Sequence, residues 1–162
     1  MATTRETTNQ PVSAERPVVK CQGPGRWQGT EVMPYKEEGS APFRDVTRQK
    51  LFAGNGDLDV ELRYFEVGPG GYSTLERHQH AHLVVVARGS GTVVVGSEVR
   101  EIGLHDLVHV PPLTWHQFLA GAAEPLGFLC LVKVERDRPE RPSAEQMAEI
   151  TSDPAVGAVV RV

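Results

Sequence analysis

The chain has 162 residues, two cysteines and a formal net charge of −4, which suits one soluble domain with a sizeable core. No cluster of Lys and Arg supplies the field that a phosphate backbone or an anionic lipid surface requires, so nucleic acid and membrane are excluded as partners and a small molecule is favoured. The first residues carry no apolar signal core and the longest apolar run, residues 126–132, is too short to span a bilayer. A cytosolic protein is expected, with Cys21 and Cys130 as free thiols.

Residues 1–17 are rich in Thr, Glu, Arg and Pro with little to bury, and read as a disordered arm. Residues 18–36 mix Gly-Pro punctuation with Trp27, Val32, Met33 and Tyr35, enough apolar surface to pack across a barrel or a neighbouring subunit. Trp27 is expected as a packing anchor. Residues 43–52 and 57–67 read as strands joined by a tight turn at Ala53-Gly54-Asn55-Gly56. In the second, Leu58, Val60, Leu62 and Tyr64 alternate with Asp59, Glu61 and Arg63, the pattern of a half-buried strand. Phe65 and Val67 carry apolar character onto the other parity, which implies a bulge or burial on both faces.

Pro69-Gly70-Gly71 turns the chain into residues 69–89, where Glu76, His78, His80 and His82 occupy alternate positions. The stretch reads as a strand, so all four start out pointing to one face. Burying a carboxylate and three imidazoles together is costly unless each finds a partner, and one metal ion satisfies them jointly. All six histidines fall between His78 and His116, which favours a site. His80 is the odd member: a bend would leave it as a pocket residue instead of a ligand. His105 and His109 are expected in ordinary solvent or packing roles.

After Gly89 come short β-branched runs separated by turn residues and no helical pattern, as in an antiparallel sandwich or barrel. Residues 136–142 form a charged, Pro-rich linker. Ser143 and Gln146 make a capping box that opens a short helix to about Thr151, and Asp153-Pro154 is expected to end it. The apolar last residues should dock as a structural tail. Three segments follow: an arm (1–17), a barrel (18–135), and a linker with helix and tail (136–162).

Residues 70–89 resemble the first motif of the cupins, Gly-x5-His-x-His-x3–4-Glu-x6-Gly, with Gly70 and Gly89 as its glycines. Glu76 then falls on the first His, His78 on the second, and His82 on the Glu, so that two ligand types are exchanged. His105-x5-Pro111-x-Leu113-x2-His116 resembles the second motif, Gly-x5-Pro-x-Gly-x2-His, with both glycines replaced. A non-Gly residue at either place must avoid positive φ or accept strain. The resemblance implies an all-β, single-domain jelly-roll barrel and a metal site of Glu76, His78, His82 and His116. Three imidazoles and a carboxylate suit a divalent transition metal (Mn, Fe, Ni, Co or Zn) and not Ca or Mg.

Residues 61–78, 111–118 and 124–133 look more closely like small bacterial cupins of methionine-derived sulfur salvage. That likeness implies thiol-dependent methylthio transfer from a methylthio-ketose phosphate, with glutathione as co-substrate. Cys130 lies in the apolar run 128–132 and is either a small core residue or a nucleophile facing the metal. In the transfer reaction it would be the thiolate, or glutathione would attack directly with Cys130 as packing, and His80 or a metal-bound water would return a proton; Tyr64 and Arg63 are candidate pocket residues. Two other readings share the ligand set, a metal-dependent dioxygenase and a non-catalytic cupin that binds metal and a small ligand. The apolar end segments need a surface to cover, and a homodimer is expected.

Overall fold

The computed structural model describes residues 11–162. Two long strands organise it, β5 (Val60–Tyr72) and β6 (His82–Val95). Each is paired at both ends with the same two partners. The strand β10 (Leu126–Lys133) lies antiparallel between them along residues 60–67 and 83–89, and β9 (His116–Ala120) pairs both at their other ends, Tyr72↔Leu119 and residues 91–95. The ring β5–β10–β6–β9 closes the barrel, and closure removes the exposed edges that an open sheet would carry. Against β6 lie β7 (Glu98–Gly103) and β8 (Leu107–Val110); against β5 lies β4 (Arg44–Phe52), itself paired with β3 (Met33–Pro34). The remaining strands, β1 (Cys21–Gly23) and β2 (Arg26–Trp27), form a small separate hairpin.

Gly89 sits where β6 passes from one set of partners to the other. Its φ is +62°, and a Cβ there would lie 1.8 Å from the Pro125 carbonyl oxygen. The strand expected to end at Gly89 therefore bends through it and continues.

Four other expectations are corrected. First, the inward face of β5 carries Glu61, Arg63, Phe65 and Val67, not Leu62 and Tyr64. Phe65 stacks on Phe128 and Phe128 on Phe118 in the barrel core. Tyr64 is buried on the outer side against Trp27, with ring centroids 4.9 Å apart. Val12, Val19 and Trp27 lie over the outer face, so β5 is covered on both sides, one of the two arrangements that Phe65 and Val67 implied. Trp27 is the packing anchor its character implied.

Second, the arm is not wholly free. Val12 forms a bridge with Phe52, its N–H donating to the Leu51 carbonyl at 2.8 Å. Residues 1–10 of that expected arm lie outside the described residues. Third, residues 73–81 are not a strand. They form an irregular crossing, tied down by an isolated bridge between Glu76 and His116 and another between Arg77 and Glu140. Fourth, Asp153-Pro154 ends the helix as expected but also starts a second one within the segment read as a tail. The capping box of Ser143 and Gln146 opens α1 (Ala144–Ser152) as expected. Asp153 then caps α2 (Pro154–Val159), with Pro154 at the first helical position, where its missing N–H is no loss. Val156 and Val160 of this tail are buried with Leu75, Val94 and Leu119 in a second apolar cluster.

The two replaced motif glycines accept strain. His105 has φ 74° and Leu113 has φ 58°, both left-handed. What holds them is hydrogen bonding: His105 N–H donates to the Val86 carbonyl at 2.9 Å, and Leu113 N–H to the His78 carbonyl at 2.7 Å. Leu113 is exposed, so glycine there gives up little burial. Leu113→Gly should stabilise the protein by about 0.5–1 kcal/mol, the strain of about 1–2 kcal/mol less the added freedom of the unfolded chain. Gly89→Ala should destabilise it by at least about 2 kcal/mol, combining that strain with the carbonyl clash. Urea denaturation of both variants checks the pair.

Candidate metal centre

The crossing of residues 73–81 brings together side chains from three parts of the chain. Backbone bonds between Glu76 and His116, N–H to carbonyl in both directions at 3.3 and 3.0 Å, hold the crossing against the start of β9. His82 opens β6. The ligand-type nitrogens of His78, His82 and His116 all lie within 4.8 Å of one another.

Local bonds set their tautomers. His78 Nδ1 lies 2.6 Å from the His80 carbonyl oxygen, and His116 Nδ1 lies 2.9 Å from that of Thr114. A carbonyl only accepts, so both Nδ1 atoms carry the proton and both Nε2 atoms present a lone pair. His78 Nε2 and His82 Nε2 are buried with no hydrogen-bond partner. An orphaned buried ring nitrogen costs free energy, and orphans converging on one point fit a metal ion. Burial also holds the rings neutral, as ligands must be. It is the main cause that lowers His78 to about 4, and it pushes His82 and His116 down as well, with mutual repulsion among the rings adding to it at His78 and His82.

Glu76 stands in the same cavity but outside this trio. Its carboxylate pairs with the Lys36 ammonium and accepts from the Tyr35 hydroxyl at 3.4 Å. His80 is also outside it, stacked on His78 with centroids 3.7 Å apart. Its Nδ1 lies 2.7 Å from Asp137 Oδ1. The same carboxylate accepts from the N–H groups of Gln79 and His80, and these bonds, that of Gln79 foremost, hold Asp137 down at about 2.

Cys130 is buried on β10 and lines this cavity. Arg63, opposite it on β5, donates from Nη2 to Sγ at 3.5 Å. Burial pushes the thiol up, and the Arg63 guanidinium opposes that rise. Tyr64, expected as a pocket residue, is turned away; its hydroxyl donates to Glu66 at 2.8 Å on the outer face. His105 and His109 are exposed and do not line the cavity. Trp115 points away from the ligands and packs in the second cluster beneath Arg77. The cavity holds about 260 Å³, just under the range usual for drug-sized ligands.

Sequence reasoning missed four of its charged lining residues: Lys36, Arg48, Arg136 and Asp137. The signal for the last two was faint, because RDRPERP reads as a solvated run. Lys36 and Arg48 had none beyond lying near Tyr35 and on a strand.

A closed antiparallel barrel with an imidazole trio at one end of β6 and β9 is the architecture of the cupins. The chain belongs to that family. The cupin domain model matches residues 63–132. The 1-methylthio-D-xylulose 5-phosphate methylsulfurylase of Rhodospirillum rubrum is 56% identical over 144 residues, covering 89% of this chain and 92% of the relative. Among solved structures, a cupin 2 conserved barrel domain protein from Rhodopseudomonas palustris has a TM-score of 0.85 at 48% identity, over 90% of this chain and 99% of that one. A cupin-2 domain from Rhodospirillum rubrum has a TM-score of 0.79 at 55% identity, over 88% of this chain and 95% of that one. Among the described residues, no helix is long and apolar enough to cross a membrane.

Folded-state values below the ordinary one give a definite pH dependence. The unfolded chain takes up a proton near 6.5 while folded His78 resists until about 4, so its contribution is intact above 6.5 and is lost progressively as pH falls toward 4. The metal-free protein should therefore show a falling melting temperature across that window. His78→Gln should flatten the fall.

Proposed function

We propose that this chain transfers a methylthio group from a methylthio-ketose phosphate to a thiol. The observation that carries the reading is Cys130 Sγ in one cavity with the imidazole trio, in contact with Arg63. The name borne by the 56% identical relative supports the substrate class. A divalent transition metal (Mn, Fe, Co, Ni or Zn) would be held by His78, His82 and His116 and would supply Lewis-acid polarisation of the ketone oxygen; Glu76, paired with Lys36 beside the trio, is the candidate fourth ligand.

The protein's own groups do the rest. Cys130 acts as the thiolate, favoured by the Arg63 guanidinium against the cost of burial. Its sulfur attacks the methylthio sulfur; the S–S bond forms and the C1–S bond breaks, leaving its electron pair on the sugar carbon. His80 returns a proton to that carbon. Asp137 accepts from Nδ1–H and fixes the ring, so the proton given to carbon is the second one, on Nε2 of the imidazolium form. Glutathione thiolate then attacks the methylthio sulfur of the mixed disulfide, freeing Cys130 as thiolate and leaving as a methylthio disulfide.

The test is to load the protein with each metal in turn and follow methylthio release in the presence of glutathione. His116→Ala should lose at least about 100-fold in rate. Cys130→Ala should lose a comparable factor, and wild type without glutathione should gain the mass of one methylthio group. Full activity in Cys130→Ala removes the covalent route and makes glutathione the direct attacker. Absence of turnover with every metal overturns the reaction itself.

A further inference from the structure

The charges of the cavity do not balance. Lys36, Arg48, Arg63 and Arg136 line it against Glu76 and Asp137. Lys36 is matched by Glu76, and Asp137 is engaged by His80 and two backbone N–H groups. The three guanidinium groups are left with one further carboxylate, Glu61, buried on β5. It is already shared by Arg136 at 2.9 Å, Arg63 at 3.5 Å and Lys50 at 3.5 Å.

Arg63 Nε lies within ion-pair distance of Glu61 yet is buried without a hydrogen-bond partner. Arg48 is the least compensated. Its Nε donates to the Pro34 carbonyl at 3.2 Å, which fixes the plane of the group, and among the described residues no partner meets its two terminal nitrogens.

We propose that Arg48, with Arg63 beside it, is the anchor for the phosphate monoester of the substrate. The proposal rests on the ketose-phosphate reading above. A phosphate dianion offers three terminal oxygens and two charges to unpaired N–H groups on a planar fork, which suits it better than a single carboxylate. Position agrees. In the sheet Arg48 pairs with Phe65, Lys50 with Arg63, and Arg63 with Cys130, so Arg48 stands two strands from the strand of Cys130. Two strand spacings are roughly 10 Å, room for a substrate whose sulfur reacts at one end and whose phosphate lies at the other. Arg48 is then a specificity residue that selects phosphorylated sugars.

The experiment compares binding of D-xylulose 5-phosphate, D-xylulose and glutathione to the metal-loaded full chain by calorimetry, in wild type, Arg48→Gln and Arg48→Lys. Wild type should prefer the phosphate ester at least tenfold over the free sugar. Arg48→Gln should erase that preference with D-xylulose and glutathione affinities unchanged, and Arg48→Lys should keep part of it. Lysine retains the charge and the aliphatic stem, so it also guards against a folding defect in the glutamine variant. Unchanged preference in Arg48→Gln overturns the anchor. Selective loss of glutathione affinity also overturns it and assigns the cations to the tripeptide's carboxylates. The reaction is judged separately: if the preference depends on Arg48 but no methylthio-ketose phosphate is turned over, the anchor stands and the proposed reaction falls.

Discussion

Three buried imidazoles present lone pairs to one point because their other ring nitrogens, in His78 and His116, are already spent on backbone carbonyls. That constraint reaches far into the chain. The carbonyls belong to irregular segments, residues 78–80 and 112–116, so both must be held rigidly for the nitrogens to converge. The first is held by its bridge to β9 and by the Leu113 N–H on the His78 carbonyl. The second depends on Leu113 remaining left-handed. A strained residue at the site is thus a consequence of orienting a ligand: the bond that keeps Leu113 at positive φ is also one that fixes His78.

Burial in the barrel wall opposes ionisation of the Cys130 thiol, and the Arg63 guanidinium opposes that effect of burial. Cys130 lies among Val84, Phe128 and Val132 in the barrel wall, where burial alone favours the neutral thiol. Placing a guanidinium opposite it requires a buried arginine, and a buried arginine requires a carboxylate. Glu61, two residues earlier on the same inward face of β5, supplies it. The polar row Glu61–Arg63 inside an apolar barrel therefore makes sense as a unit, whereas either residue alone would be costly.

That row also shows what could and could not be read from the residues. The barrel of short β-branched runs and the capping box at Ser143 were legible because periodicity and capping are local properties, and the grouping of His78, His82 and His116 followed from the resemblance of two motifs to those of the cupins. The inward face of β5 was not. Alternation of Leu58, Val60, Leu62 and Tyr64 with charged residues implies a core on the apolar side, and both sides are covered here: the apolar one by residues 12–34, the charged one by the functional cavity. Likewise Glu76, His78, His80 and His82 share a spacing of two without sharing a strand, since the isolated bridges replace a continuous ladder. The partners of Glu76 and His80, Lys36 and Asp137, come from 40 and 57 residues away, and no local pattern reports contacts at that separation.

The C-terminal segment belongs to the site for an energetic reason. Arg136 reaches Glu61, Asp137 reaches His80, and Glu140 pairs with Arg77 beside the ligands. Each of these pairs has one partner at least partly open to solvent and holds the segment only weakly, so a firmer anchor further along matters. The tail provides one: Val156 and Val160 are buried beside Leu119 of β9, each contributing about 1.5–3 kcal/mol. Gln117, the neighbour of His116, is fully buried and clasps Arg161 through both its amide atoms, while its amino group also donates to the Ser73 carbonyl. One strand, β9, thus carries His116 of the imidazole trio, the buried amide that grips the tail and the apolar surface that the tail covers. The tail docked by α2 and the segment that sets Asp137 against His80 are thus continuous in the chain and both close on the same end of the barrel.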